Sequence, residues 1–396
     1  MVFLNLRQRS DSVQALVIAT PGQVSKQMVK WVSGLADESI VLVQGLVRKS
    51  PELIKSTSME DVEVHVSQIH LISGIDMRLP FSVEAGSRVD IDETSTNQAV
   101  FKLQSGIGDL FRQFLNNNGF LGIHTPKLQG AATESGASVF NVSYFKGNAF
   151  LAPSPQLAKQ MAIAADFERV YEIGPVFHAE DANIHRYLTE SMGVDLEMTI
   201  EEHYHEVVEL LDCLFLSIFR GLKENYSHEI SIVRKQFPAE EFKWREGPEG
   251  TLKLTFRQAI DIIVKDGMPK EILGDLNMEN ERRLGRLVKA KYDTDYFIVD
   301  KSPIEFRPFY TMPDPEDPTL SNSYDFFMRG EKVLSGAQRI HDPALLCEKM
   351  CSKGIDPESM KAYLDGFRMG SQEHRSDIDV PEGPQKIGSL SLYDDM

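Results

Sequence analysis

The chain has 396 residues, of which 42% are hydrophobic and 26% charged. That suffices for one large and one small globular domain with buried cores. A net charge of −17 excludes overall charge as the means of gripping a polyanion, so a nucleic-acid partner would need local basic patches. Residues 233–243 and 282–291 are the candidates, with solvated helix faces as the plainer reading of both. No long apolar run suggests a membrane span, and residues 1–11 lack the apolar stretch of a signal peptide. Cys213, Cys347 and Cys351 are too few and too irregular for a disulfide framework, which points to free thiols in a reducing cytosol.

Residues 1–72 read as a small β domain. Residues 39–48 hold an apolar strand with Ile40, Leu42, Leu46 and Val47. Residues 61–72 alternate Val62, Val64 and Val66 with Glu63, His65 and Ser67. A short helix over 25–35 lies between them. Strands around a short helix are consistent with a five-stranded Greek-key barrel. Residues 73–95 form a hinge without sustained period, carrying Pro80, Gly86, Asp90, Asp92 and Glu93.

Residues 96–370 read as one larger domain of helices and strands. The period of Val100, Leu103, Ile107, Leu110, Phe111 and Phe114 predicts a helix over 96–117. A long helix follows over 201–225, with Val207, Leu211, Leu214, Phe215 and Ile218 on its apolar face. His203 and His205 flank Tyr204 near its start; two apart on a helix, they should face different directions. Residues 297–299, 304–309 and 324–328 look like strands, and Arg329-Gly330 suits a turn between two antiparallel strands. The absence of a Gly-rich phosphate loop argues against a Rossmann or P-loop fold. The segment 371–396 is polar and acidic, with Pro381, Gly383, Pro384 and Gly388, and reads as a disordered tail.

Three stretches carry a family resemblance. The first is Gly119-Phe120 with His124-Thr125-Pro126-Lys127-Leu128. The second is Val170-Tyr171-Glu172-Ile173-Gly174-Pro175-Val176-Phe177, continuing to Asp195-Leu196-Glu197-Met198. The third is Ser321-Asn322-Ser323-Tyr324-Asp325-Phe326-Phe327-Met328-Arg329-Gly330, followed by Leu334-Ser335-Gly336-Ala337-Gln338-Arg339-Ile340-His341-Asp342. Together they resemble the class II aspartyl-tRNA synthetases of the eukaryotic cytoplasmic and archaeal type. The resemblance implies an α+β fold. Residues 1–72 would form an OB-type anticodon-binding barrel lacking its first strand, and 96–370 a catalytic antiparallel sheet flanked by helices. It also implies a cytoplasmic aspartate–tRNA ligase that uses ATP and Mg²⁺ to form aspartyl adenylate and then charges tRNA(Asp). Pro126 would lie at the interface of a homodimer, or of a heterodimer with an intact synthetase.

By the same resemblance, Arg339 and Lys159 match the cations on the substrate's side-chain carboxylate; an arginine fork suits that group because it can give two parallel hydrogen bonds. Gln156 and Ser335 match further aspartate contacts, and Glu134 matches a loop acid on its ammonium. Glu180, Arg186 and Leu188 match ATP contacts. Departures from the family cluster on ATP handling. His178 in Phe177-His178-Ala179-Glu180 stands where the family has arginine, and it lacks the fork. Losing one such contact costs about 2.7–4 kcal/mol, or roughly 10²–10³ in rate. Lys332 in Gly330-Glu331-Lys332-Val333-Leu334-Ser335-Gly336 stands for a glutamate that holds magnesium and ATP, and an ammonium repels a divalent ion. Pro153 in Pro153-Ser154-Pro155-Gln156 replaces a glutamine. The glycine-rich motif 3 expected soon after residue 370 is missing, which should leave an apolar face of the sheet uncovered. The residues therefore predict a retained aspartate pocket, no complete catalytic set and no protein-built metal site. The alternative is a degenerate paralogue that binds aspartate or regulates an intact partner.

Overall fold

The computed structural model describes residues 1–8, 11–75, 94–130, 139–145, 147–179, 188–246, 250–268, 276–373 and 386–392. The chain forms two compact units: residues 1–106 with 225–239, and residues 107–224 with 240–396.

In the first unit, β1 (Val2–Gln8), β2 (Asp11–Val17), β3 (Ile40–Lys49) and β4 (Val62–Ser73) make one sheet in the order β1-β2-β4-β3. Helix α1 (Lys26–Val32) follows β2. Its N-cap Ser25 accepts a hydrogen bond from the Met28 backbone N–H at 3.0 Å. Ala15, Val17, Val24, Val32, Val66 and Ile69 form the core. The resemblance implies an OB-type barrel here that lacks its first strand. The described residues form four strands in an open order, with β1 and β3 as edges, and no closed barrel. Strand β1 alternates half-buried and exposed residues, as a strand with one covered face does, a pattern that its own Leu4, Asn5 and Leu6 already carry.

Helix α2 (Thr94–Asn117) begins in the first unit and ends in the second. There follow β5 (Leu121–Gly122), β6 (Leu128–Gln129), β7 (Asn141–Tyr144), β8 (Gly147–Leu151), α3 (Gln156–Ala164), β9 (Arg169–Phe177), β10 (Glu190–Ile200) and α4 (His205–Asn225). Helix α5 (Ser227–Gln236) belongs to the first unit, where Glu229 accepts from Lys102 at 2.9 Å. The second unit continues with β11 (Leu252–Thr255), α6 (Phe256–Lys265), α7 (Met278–Tyr292), β12 (Tyr296–Asp300), β13 (Ser323–Met328), β14 (Glu331–Arg339), α8 (Pro343–Ser352), α9 (Lys361–Glu373) and β15 (Lys386–Leu392). Helix starts are capped where the sequence offers polar caps. Thr255 and Gln258 form a capping box on α6, and Asp342 caps α8 with Pro343 in its first turn.

Among the described residues the main sheet has eight strands in the order β11-β12-β13-β14-β15-β10-β9-β5; β11/β12 and β5/β9 are parallel and the other neighbours antiparallel. Period-2 alternation gives it two different faces. One face sends Leu196, Met198, Ile298, Tyr324 and Phe326 into a core shared with Val207, Leu211, Leu214, Phe215 and Ile218 of α4. Each such side chain contributes roughly 1.5–3 kcal/mol by leaving water. The opposite face carries Asp195, Glu197, Asp325, Ser335 and Arg339.

Two sequence expectations fail here for identifiable reasons. Residues 304–309 are not a strand: Ile304–Phe306 is a single 3-10 turn. Pro303 and Pro308 bracket it and cannot donate to a ladder. The disordered tail expected over 371–396 does not hold for its described residues; 374–385 and 393–396 lie outside them. Helix α9 continues to Glu373, and Lys386–Leu392 forms β15, which pairs with both β14 and β10. It occupies the centre of the sheet, where the missing motif was expected to leave a gap. Composition averaged over the tail hides this strand, although the run Lys386-Ile387-Gly388-Ser389-Leu390-Ser391-Leu392 ends in the alternation of a strand.

Candidate functional site

The polar face of the sheet gathers charged and polar side chains from three elements. On β10, Asp195 and Glu197 are two apart and share one side, while Leu196 and Met198 point into the α4 core. On α3, Gln156 and Lys159 are three apart and share one side. The helix starts after the buried Pro153 and Pro155, and the Ser154 hydroxyl accepts from the Gln156 N–H at 3.2 Å. Arg339 comes from the end of β14.

These side chains join in one network. Lys159 Nζ lies 3.0 Å from Asp195 Oδ1 and 3.6 Å from Glu197 Oε2. Gln156 Nε2 donates to Glu197 Oε2 at 3.2 Å, and Gln156 Oε1 accepts from Arg339 at 2.7 Å. Arg339 Nε is 3.9 Å from Glu197 Oε1, and its guanidinium lies 4.8 Å from the ring centre of Tyr310. Lys159 and Glu197 are fully buried, and Asp195 and Arg339 nearly so. Charges this deep are tolerated only when paired. Two cations balance two carboxylates, with the Lys159 ammonium and the Arg339 fork facing different oxygens of Glu197. That pairing can receive a small carboxylate ligand while Asp195 and Glu197 fix the cations.

A second group stands farther along β13 and β14. Arg307 donates to Asp325 at 2.7 and 3.4 Å and to the Ser335 hydroxyl at 2.8 Å. Burial alone would raise the Asp325 carboxyl. The charges of Arg307 and Lys332, with hydrogen bonds from Arg307 and Ser335, hold it below the usual carboxylate range. Lys332 reaches this group because of a β-bulge. Phe326 pairs with Leu334 and Phe327 with Lys332, leaving Val333 as an extra residue. Strict alternation would set Lys332 and Ser335 on opposite faces; the bulge returns them to one face. Lys332 Nζ lies 3.7 Å from Glu281 Oε1 on α7, whereas Glu331 pairs with Arg282 at 2.5 Å. The turn joining β13 to β14 has φ of 53° at Arg329 and 82° at Gly330, the pair of positive values that a tight hairpin turn demands.

This second group does not fit a divalent metal ion. Arg307 engages both oxygens of Asp325, and Lys332 brings an ammonium to the same face. Among the described residues, no three His, Cys, Asp or Glu side chains gather as a metal site.

Of the residues singled out from the sequence, Gln156, Lys159 and Arg339 come together in the first group. Ser335 stands in the second, four residues from Arg339 along β14. His178 is half-buried at the end of β9, its N–H bonded to the Thr189 carbonyl at 3.0 Å. Leu188 is exposed, and so is Pro126. Glu134, Glu180 and Arg186 lie outside the described residues. Sequence reasoning did not single out Asp195, Glu197, Arg307, Asp325 or Tyr310 as site members. A signal existed for three of them: Asp195, Glu197 and Asp325 are carboxylates inside otherwise apolar strands.

The three cysteines are free. In the 282–291 stretch, Arg283 pairs with Asp266 at 2.5 Å and Lys289 with Asp295 at 2.8 Å. The His203 and His205 rings do not diverge; their centres are 4.4 Å apart, because His203 precedes the helix. His205 Nε2 lies 2.8 Å from Asp300 Oδ2, and Tyr204 donates to the other oxygen at 2.7 Å.

The comparisons with known proteins converge. Residues 86–375 match the family described as tRNA synthetases class II (D, K and N). The chain is 51% identical to the cytoplasmic aspartate–tRNA ligase of Homo sapiens, and 50% identical to that of Mus musculus. Each match covers 94% of this chain and 78% of the relative. An aspartyl-tRNA synthetase structure from Entamoeba histolytica superposes with a TM-score of 0.84 at 36% identity, covering 99% of this chain and 80% of that one. The polar-faced mixed sheet and these matches together place the chain in the class II aminoacyl-tRNA synthetases, as a member of the aspartate–tRNA ligase family.

Proposed function

We propose that this protein takes L-aspartate between Lys159 and Arg339, activates it with ATP and transfers it to tRNA(Asp) in the cytoplasm. The observation that carries this reading is the buried network in which Arg339 and Lys159 face the two oxygens of Glu197 and are tied in by Gln156 and Asp195. The Arg339 fork receives the substrate's side-chain carboxylate, and the Lys159 ammonium adds a second charge to it. The α-carboxylate then attacks the α-phosphorus of ATP and pyrophosphate leaves. The terminal hydroxyl of the tRNA attacks the resulting mixed anhydride, and AMP leaves. Positioning and charge stabilisation account for such a step without a covalent enzyme intermediate.

The remaining assignments belong to the same proposal. Ser335 and Glu134 complete the aspartate site, and Glu180, Arg186 and Leu188 contact ATP. Residues 1–72 act as an OB-type anticodon module, 73–95 as a hinge and 96–370 as the catalytic domain. Dimerisation runs through the segment around Pro126. Its neighbours Leu121 and Leu128 are 50% and 44% exposed, and Glu172 anchors the segment through Thr125 and Lys127.

A second reading is favoured by His178 and Lys332: a paralogue that binds aspartate without activating it and acts on an intact partner. Aspartate-dependent exchange of pyrophosphate into ATP separates the two. The first reading predicts exchange above the aspartate-free background, lowered by roughly 10²–10³ through the loss of one guanidinium at position 178. No exchange by a protein that still binds aspartate selects the second reading.

A further inference from the structure

We infer that Lys332 is a built-in counter-cation for a phosphate chain, so that this site binds ATP without a divalent metal ion. The inference rests on the proposal that ATP enters the polar face of the sheet, and it says how that face neutralises the nucleotide.

Three observations combine. The bulge at Val333 turns Lys332 onto the face shared by Asp325 and Ser335. Glu281, itself buried, steadies the ammonium at 3.7 Å, while the Lys332 side chain keeps 29% exposure and so remains accessible to a ligand. The carboxylate that could otherwise draw in a metal, Asp325, is occupied by Arg307 on both oxygens. The result is a pair of cations, Arg307 and Lys332, whose own counter-charges are already supplied by the protein. A hard divalent ion requires oxygen ligands and would meet two fixed positive charges here. A triphosphate requires cations, and an ammonium with three rotatable donors on a flexible stem serves it as a point charge.

The test is calorimetric titration of ATP into the full chain, once with Mg²⁺ and once with a chelator. The expected result for the unaltered protein is a dissociation constant differing by less than about threefold between the two conditions. Lys332→Glu should weaken ATP binding by about tenfold in chelator and recover part of it when Mg²⁺ is added. Lys332→Met, which keeps most of the stem, should weaken binding equally in both conditions and guards against a folding defect specific to the reversed charge. Binding of ATP by the unaltered protein only when Mg²⁺ is present overturns the inference, as does the absence of ATP binding in both conditions. L-Aspartate titrated alone into the same protein reports on the amino-acid pocket independently, so loss of one result does not imply loss of the other.

Discussion

Arg339 donates a 2.7 Å hydrogen bond to Gln156, a residue 183 positions away in the chain. That bond joins the end of β14 to the first turn of α3, the helix that also carries Lys159. Both cations are therefore fixed before any ligand arrives. Such preorganisation is what a site needs if it is to bind a small anion without a large ordering cost.

The buried pairing makes Lys159 a structural as well as a binding residue. Replacing Lys159 by Met keeps the aliphatic stem but leaves Asp195 and Glu197 without their nearest cation. Breaking a buried pair from one side costs about 3–5 kcal/mol. Urea unfolding should show a lower midpoint with an unchanged slope. A midpoint within error of the parent would mean that the network is more hydrated than its burial indicates.

Gly285 on α7 packs against the β13–β14 turn, and a Cβ there would meet the Cα and N of Gly330 well inside contact distance. In an open helix, Gly→Ala stabilises by roughly 0.5–1 kcal/mol. Overpacking costs about 1–3 kcal/mol, and backbone cannot swing aside as a side chain can. Gly285→Ala should therefore destabilise the protein, and its thermal midpoint should fall. A rise would show that α7 is free to move away from the turn.

The pH dependence follows from Asp325. Its folded-state carboxyl lies below the ordinary value because Arg307 and Lys332 outweigh the effect of burial. The unfolded state then binds the proton first, so this pair stabilises above roughly pH 4. That stability is lost as pH falls through the depressed folded value. In Arg307→Met, burial should dominate, raising the carboxyl and reversing the contribution, so that stability falls as pH rises through that region. Acid titrations of unfolding free energy for the two proteins should differ in slope in this way. Parallel curves would count against the pairing.

Oligomeric state tests the exposed segment around Pro126. The unaltered chain should sediment as a dimer at micromolar concentration. Leu128→Asp, at a position 44% exposed in the single chain, should sediment as a folded monomer. An unaltered chain that is monomeric throughout removes the interface from this region.

Much of the architecture was legible because local pattern and final burial agree. The alternation at Val62, Val64 and Val66 became β4, the 3.6-residue period through Leu211, Leu214 and Phe215 became α4, and Arg329-Gly330 became the hairpin turn. What escaped has physical causes. Pro303 and Pro308 removed ladder donors from a run that otherwise looked like a strand. The bulge at Val333 broke a period-2 count, which is why the face taken by Lys332 could not be counted from the sequence. The partners of Gln156, Lys159 and Arg339 were hidden because the contacts link residues far apart in the chain. Strand β15 was masked by the charged, Pro- and Gly-bearing residues around it.

The most direct measurement is a calorimetric titration of L-aspartate, with L-asparagine as the control, into the unaltered protein and into Arg339→Gln. L-Aspartate should bind saturably, with at least about tenfold preference over L-asparagine, and Arg339→Gln should lose that preference. Equal affinity for the two amino acids, or aspartate binding untouched by Arg339→Gln, would contradict the proposed role of Arg339.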